Sequence, residues 1–168
     1  MLKLATLLLV AVACACHAEP SRDAAVPARP AGSPPPVQAS ESGALAMGSS
    51  EAAIVAGLGQ PTRSWHQDDF DWRRFETATA TVEAGFYRDK FGKLKLTPKA
   101  PMSLDEAFGW ARALAPGFDP AKLDKTKPAE WVYFEQIRVA GAPFEVQLTF
   151  TVAGDRVGAI AGEIHWLD

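Results

Sequence analysis

Ser64-Trp65-His66, followed by Asp68, Asp69 and Asp71, brings a hydroxyl, an imidazole and three carboxylates into one short segment. These are the residue types of a nucleophilic hydrolase. Their spacing argues against one. On a strand, Ser64 and His66 are separated by about 6.7 Å along the chain, whereas a nucleophile and its base must lie about 2.6–3.2 Å apart. No Gly-x-Ser-x-Gly elbow occurs. His66, the three aspartates and His165 could also donate to a metal. Neither His-Glu-x-x-His nor an EF-hand loop is present to support that. A carboxylate pair for glycoside chemistry is defined by a distance in space, which spacing in the chain does not give. We therefore expect no catalytic residue, no cofactor and no metal.

The same segment has a second reading. Trp65, Phe70 and Trp72 interleave with the acids. Aromatic anchors inside an acidic rim suit a protein-binding edge. Trp65, Asp68, Asp69, Phe70 and Asp71 are the candidate contact residues. The plainer alternative is a strand or turn with its aromatics buried and its acids in water. Arg88, Lys90, Lys93, Lys95 and Lys99 form a basic hairpin with Phe91 near its tip. Such lysines guard a sheet edge, or meet anionic headgroups or an acidic partner.

These residues need a scaffold. A short helix is expected from Glu51, capped by Ser49 or Ser50, with Ile54, Val55 and Leu58 as its apolar stripe. Gly57, Gly59 and Pro61 end it. Ser64 to Trp72 reads as one strand. Glu76 to Tyr87 alternates clearly, and Lys93 to Thr97 returns after a turn at Asp89–Gly92. Leu104 to Ala115 is the best-defined helix, with Ser103 and Glu106 as a capping box and Pro116-Gly117 as its stop. Phe118 to Glu130 reads as a polar, Lys-rich loop. Trp131–Val139 and Phe144–Val152 are strands, and Gly154-Asp155 is a hairpin turn. A regular hairpin there would turn Ile164 and Trp166 away from the core. A bulge at Gly158 or Gly162 restores them, so a bulge is expected. The expected class is α+β: antiparallel sheet with two helices packed on one face, in the order helix–three strands–helix–three strands. The runner-up is one open sheet with a single dominant helix. The halves have the layout of a degenerate duplication, with no repeat visible at residue level.

The 168 residues hold one domain and a leader. Met1-Leu2-Lys3 precedes an apolar run from Leu4 to Ala13. At about 1.5 Å per residue this run is too short to span a hydrocarbon core of about 30 Å. Residues 1–13 read as a secretory signal peptide. The only cysteines, Cys14 and Cys16, follow it. Ala11-Val12-Ala13-Cys14 resembles a bacterial lipoprotein signal, which implies acylation at Cys14, with Cys16 as the alternative; the bland option is ordinary cleavage after Ala13, Ala15 or Ala18. The resemblance further implies delivery to the outer membrane. Residues 14–43 carry six of the thirteen prolines downstream of His17 and no aromatic residue, the composition of a disordered Pro-rich tether. Residues 44–168 form the globular domain, which contains no cysteine and so relies on its core. Net charge is −3, which does not suit a general nucleic-acid binder.

Met47-Gly48-Ser49-Ser50-Glu51, Ile54 and Leu58-Gly59-Gln60-Pro61-Thr62 resemble the helix-to-strand passage of small outer-membrane lipoproteins of the SmpA/OmlA type. That resemblance implies an α+β fold and a part in assembling outer-membrane β-barrels. A related layout occurs in secreted β-lactamase-inhibitor-like domains. The expectation is a non-enzymatic envelope lipoprotein, exported to the periplasm and lipid-anchored to the outer membrane. Its domain would bind another envelope or periplasmic protein, possible oligomeric states being left open. The alternative is a periplasmic inhibitor or immunity protein that neutralises a toxic effector or a cell-wall hydrolase.

Overall fold

A computed structural model describes residues 45–166. The leader, Cys14, Cys16 and the Pro-rich segment lie outside them. Helix α1 (Glu51–Leu58) is followed by β1 (Arg63–Gln67), β2 (Phe70–Glu76), β3 (Ala80–Tyr87), β4 (Lys90–Pro98) and the two-residue β5 (Met102–Ser103). Helix α2 (Leu104–Leu114) and a 3-10 turn (Pro120–Lys122) lead to β6 (Asp124–Lys127), β7 (Glu130–Val139), β8 (Ala142–Ala153) and β9 (Arg156–Trp166). All nine strands share one antiparallel sheet, ordered β1-β2-β3-β4-β9-β8-β7-β6, with β5 also on β9.

This corrects the expected α+β order of helix–three strands–helix–three strands. Four strands follow the first helix before the short β5, and four follow the second. Two physical causes account for the difference. The aromatic segment is not one strand: it folds back at Asp68-Asp69, where Asp68 takes φ +54°, a conformation aspartate tolerates in turns. The Lys-rich stretch is not all loop: residues 124–127 pair with β7 as an edge strand, where exposed lysines are an ordinary protective device.

One face of the sheet holds the core. Phe75, Val82, Leu94, Leu96, Tyr133, Val146, Leu148, Phe150 and Ile160 are buried in a single cluster with Ile54 of α1 and Ala107, Ala111 and Leu114 of α2. Both helices begin on a serine cap. The Ser50 side chain accepts from Ala53 N at 3.3 Å, and Ser103 accepts from Glu106 N while Glu106 reaches back to Ser103 N at 2.8 Å. These bonds from the Ser103 backbone, then its side chain, hold the Glu106 carboxyl below its ordinary range. A lowered folded value means a contribution that is present above the unfolded carboxylate range, about 4.3, and lost as pH falls through the folded value. Ser103→Ala should cost about 1 kcal/mol. Glu106→Gln should flatten the acid limb of stability between roughly pH 5 and pH 3. Urea midpoints across that range check both, and an acid limb unchanged by Glu106→Gln would refute the assignment.

The two halves repeat. Ser50 bridges Lys90, and Ser103 pairs with Arg156. Asp89-Lys90-Phe91-Gly92 opens β4 as Asp155-Arg156-Val157-Gly158 opens β9. Gly85 pairs with Lys93 and Phe86 with Phe91, leaving Gly92 as a bulge. Thr151 pairs with Ala159 and Val152 with Val157, leaving Gly158 as the equivalent bulge. The expected bulge thus falls at Gly158. Beyond it Phe150 pairs with Ile160 and Phe144 with Trp166, which keeps Ile160 in the core.

Candidate protein-binding face

Antiparallel sheets covered on one side usually show polar residues on the other. No helix covers the second face among the described residues, and that face is not uniformly polar. Residue pairing runs Trp65–Trp72–Gly85–Lys93–Glu163–Gln147–Phe134 across seven strands. Trp65 and Trp72 stack at 5.9 Å between ring centres and 8° between planes. Phe70, two residues before Trp72 and so on the same face, lies 6.3 Å from it and 6.0 Å from Tyr87. The result is a half-buried ladder, Trp65–Trp72–Phe70–Tyr87.

Cations lie against three of its rings. The Arg63 guanidinium is 5.4 Å from the Trp65 ring centre, that of Arg88 5.2 Å from Tyr87, and the Lys93 ammonium 4.8 Å from Phe70. Lys93 is also bonded to Glu163 at 3.0 Å. Among the described residues neither Arg63 nor Arg88 has a carboxylate within ion-pair distance. From the ladder the face descends into two shallow depressions that share Gln147. One is lined by Trp72, Lys93, Gln147, Ala161 and Glu163. The other runs to Val132 and Phe134. Phe134 is 50% exposed. It stands five strand spacings from Trp72, about 24 Å.

Gly85 makes the ladder possible. A Cβ there would meet the Trp72 ring and the Lys93 Cβ at 3.2 Å, so Trp72 lies over bare backbone. Gly85→Val should lift that ring and cost about 1–3 kcal/mol. A shift in tryptophan fluorescence together with a lowered melting temperature would register it; an unchanged spectrum would refute the packing.

Trp65 and Phe70 are therefore together on the open face. Asp68 and Asp69 form the turn at its end, exposed. Asp71 is not part of any rim: it lies on the opposite face, 3.1 Å from His66 Nδ1. Ser64 shares that side of β1, and no hydrogen bond joins it to His66. His165 stands across from Glu145 on the far strand pair, away from His66. Among the described residues no group of three or more metal-ligating side chains converges. The basic hairpin is also rearranged. Phe91 is buried rather than at a tip, Lys99 bonds the Thr77 carbonyl at 2.6 Å, and β4 is a central strand, not an edge. Trp72, Gly85, Tyr87 and Lys93 complete the face. The Phe70/Trp72 alternation was the signal for Trp72; the others needed the register.

No protein-family model matches the chain, and no curated protein matches it. Among solved structures it is similar to a cysteine-rich secretory protein, SAV1118, from Staphylococcus aureus, at 10% identity and a TM-score of 0.40, over 70% of this chain and 44% of that one. The chain thus spans less than half of that protein, and a likeness this distant carries no functional argument.

Proposed function

We propose that this chain is a non-enzymatic envelope protein that binds another protein through the open face of its sheet, with the Trp65–Trp72–Phe70–Tyr87 ladder at the centre of contact. The observation that carries this reading is an internal control. The second half repeats the scaffold but not the aromatics. By register, Lys127 and Glu130 stand where Trp65 and Trp72 stand, and they form an ion pair at 2.8 Å. Thr151 and Ala159 replace Gly85 and Lys93. The architecture therefore does not require half-buried aromatics on the open face at these positions. Their cost in water is offset if a partner covers them.

The apolar leader and Cys14 support placement in the envelope with a lipid anchor. An accessory role in outer-membrane assembly is the form of the proposal we favour. An inhibitor that plugs a basic cleft needs a continuous acidic edge, and Asp71 lies on the opposite face from Trp65 and Phe70, beside His66. The test is crosslinking capture of the tagged full chain in its own envelope, with the wild type and Trp72→Ala side by side. A partner held by the wild type and released by the variant supports the reading. A partner held equally by both overturns it.

A further inference from the structure

The aromatic ladder ends on an arginine at both sides. Arg63 lies over Trp65, Arg88 lies over Tyr87, and neither has a carboxylate partner among the described residues. The interior cation, Lys93, is already neutralised by Glu163. Arg74 is likewise held by Glu83, whose hydrogen bond and charge keep the guanidinium protonated. Of the three cations that lie against ladder rings, the two at its ends are thus the ones without an ion pair among the described residues. We propose that the ladder takes an extended, apolar peptide segment of the partner that carries a carboxylate toward each end. This rests on the protein-binding reading and names the chemistry of the partner.

The argument is one of complementarity. A guanidinium held against a ring face keeps its N–H edge available, and a carboxylate is the group that edge fits bidentately. Aromatic rings between the two caps supply apolar contact area. Ring-centre steps of 5.9, 6.3 and 6.0 Å join Trp65 to Tyr87. The path is therefore at most roughly 18 Å, which about five extended residues span at about 3.3 Å each. A face for anionic lipid would instead project its cations beyond the apolar surface. Here they lie over its rings.

A random twelve-residue peptide library displayed on phage, panned on the full chain, tests this. The wild type should enrich apolar segments with Asp or Glu about five residues apart. The double variant Arg63→Glu/Arg88→Glu changes two exposed side chains and should retain the fold, checked by circular dichroism. It should lose those peptides by about tenfold or more in affinity and enrich Lys or Arg at the same positions. Enriched peptides without acids, peptides indifferent to the charge reversal, or no enrichment at all would each overturn the proposal. So would binding to phosphatidylglycerol vesicles that the double variant abolishes. Peptides without acids that nonetheless require Trp72 would sink the acidic chemistry and leave the protein-binding reading standing. Peptides indifferent to Trp72 would sink both.

Discussion

Replacing Trp72 by alanine should weaken partner binding by about 2–4 kcal/mol, roughly 30- to 1,000-fold in Kd. Trp72 is the residue on which the ladder converges. It stacks on Trp65, touches Phe70 and covers Gly85. Truncation removes one of the two indoles and also leaves Trp65 and Phe70 without their shared support. The domain should remain folded, because Trp72 faces away from the core cluster. Phe70→Ala should follow at a smaller loss, since Tyr87 and Trp72 can close partly over the gap. Asp69→Ala tests whether the exposed turn acids add to the contact. Titration of the captured partner against each variant gives the comparison, with melting curves as the control for folding. Equal affinity of wild type and Trp72→Ala would remove the open face from consideration.

The second large effect belongs to the other face. Phe150→Ala should destabilise the domain by about 3–5 kcal/mol, against a total that for a single domain is about 5–15 kcal/mol. Phe150 is fully buried. Its ring meets Phe108 of α2 edge-on at 6.4 Å and Phe118 at 5.9 Å, and Phe118 in turn meets Tyr133 at 4.8 Å. One side chain thus joins α2, the loop after it, and β8. That loop is also pinned by polar contacts: the Tyr133 hydroxyl donates to the Gly117 carbonyl at 2.8 Å, and Gly117 N donates to Glu135 at 3.0 Å. A cavity at Phe150 cannot collapse easily against neighbours held this way. Urea unfolding of the full chain should show a midpoint lowered far more than in Phe70→Ala. Equal losses for the two variants would mean that the aromatic clusters on the two faces contribute alike, contrary to this account.

What could be read from the chain alone followed from local signals. Ser103 and Glu106 announced α2 because a capping box is a contact between residues three apart. The Gly158 bulge was legible because alternation through β9 otherwise put the wrong residues inside. The signals that failed were those that depend on pairing. Asp68-Asp69 read as a rim because acids beside aromatics suit one, and only the pairing of Trp65 with Trp72 makes them a turn. Asp71 read with them, although one step along a strand moves a side chain to the other face. The repeat was hidden for the same reason. Asp89-Lys90-Phe91-Gly92 and Asp155-Arg156-Val157-Gly158 share too few residues to stand out until their bulges coincide. The open face needed the whole strand order, because its central row draws one residue from each of seven strands.

The place where the halves join bears on how the chain is made. Within β1–β4 every neighbour is reached through a short turn, so those loops close at little entropic expense. The seam is different: β4 pairs with β9, and Leu96 meets Ile160 only after everything between them has been synthesised. A chain that emerges amino end first completes the ladder-bearing meander while β4 is still waiting for its neighbour. For that interval β4 is a raw border, open to pairing with other chains. Lys93 and Lys95 line it, and charge on an open strand deters such pairing. In the finished protein these lysines sit mid-sheet, where no border remains to defend. Their protective value belongs to the newborn chain, before the second half arrives.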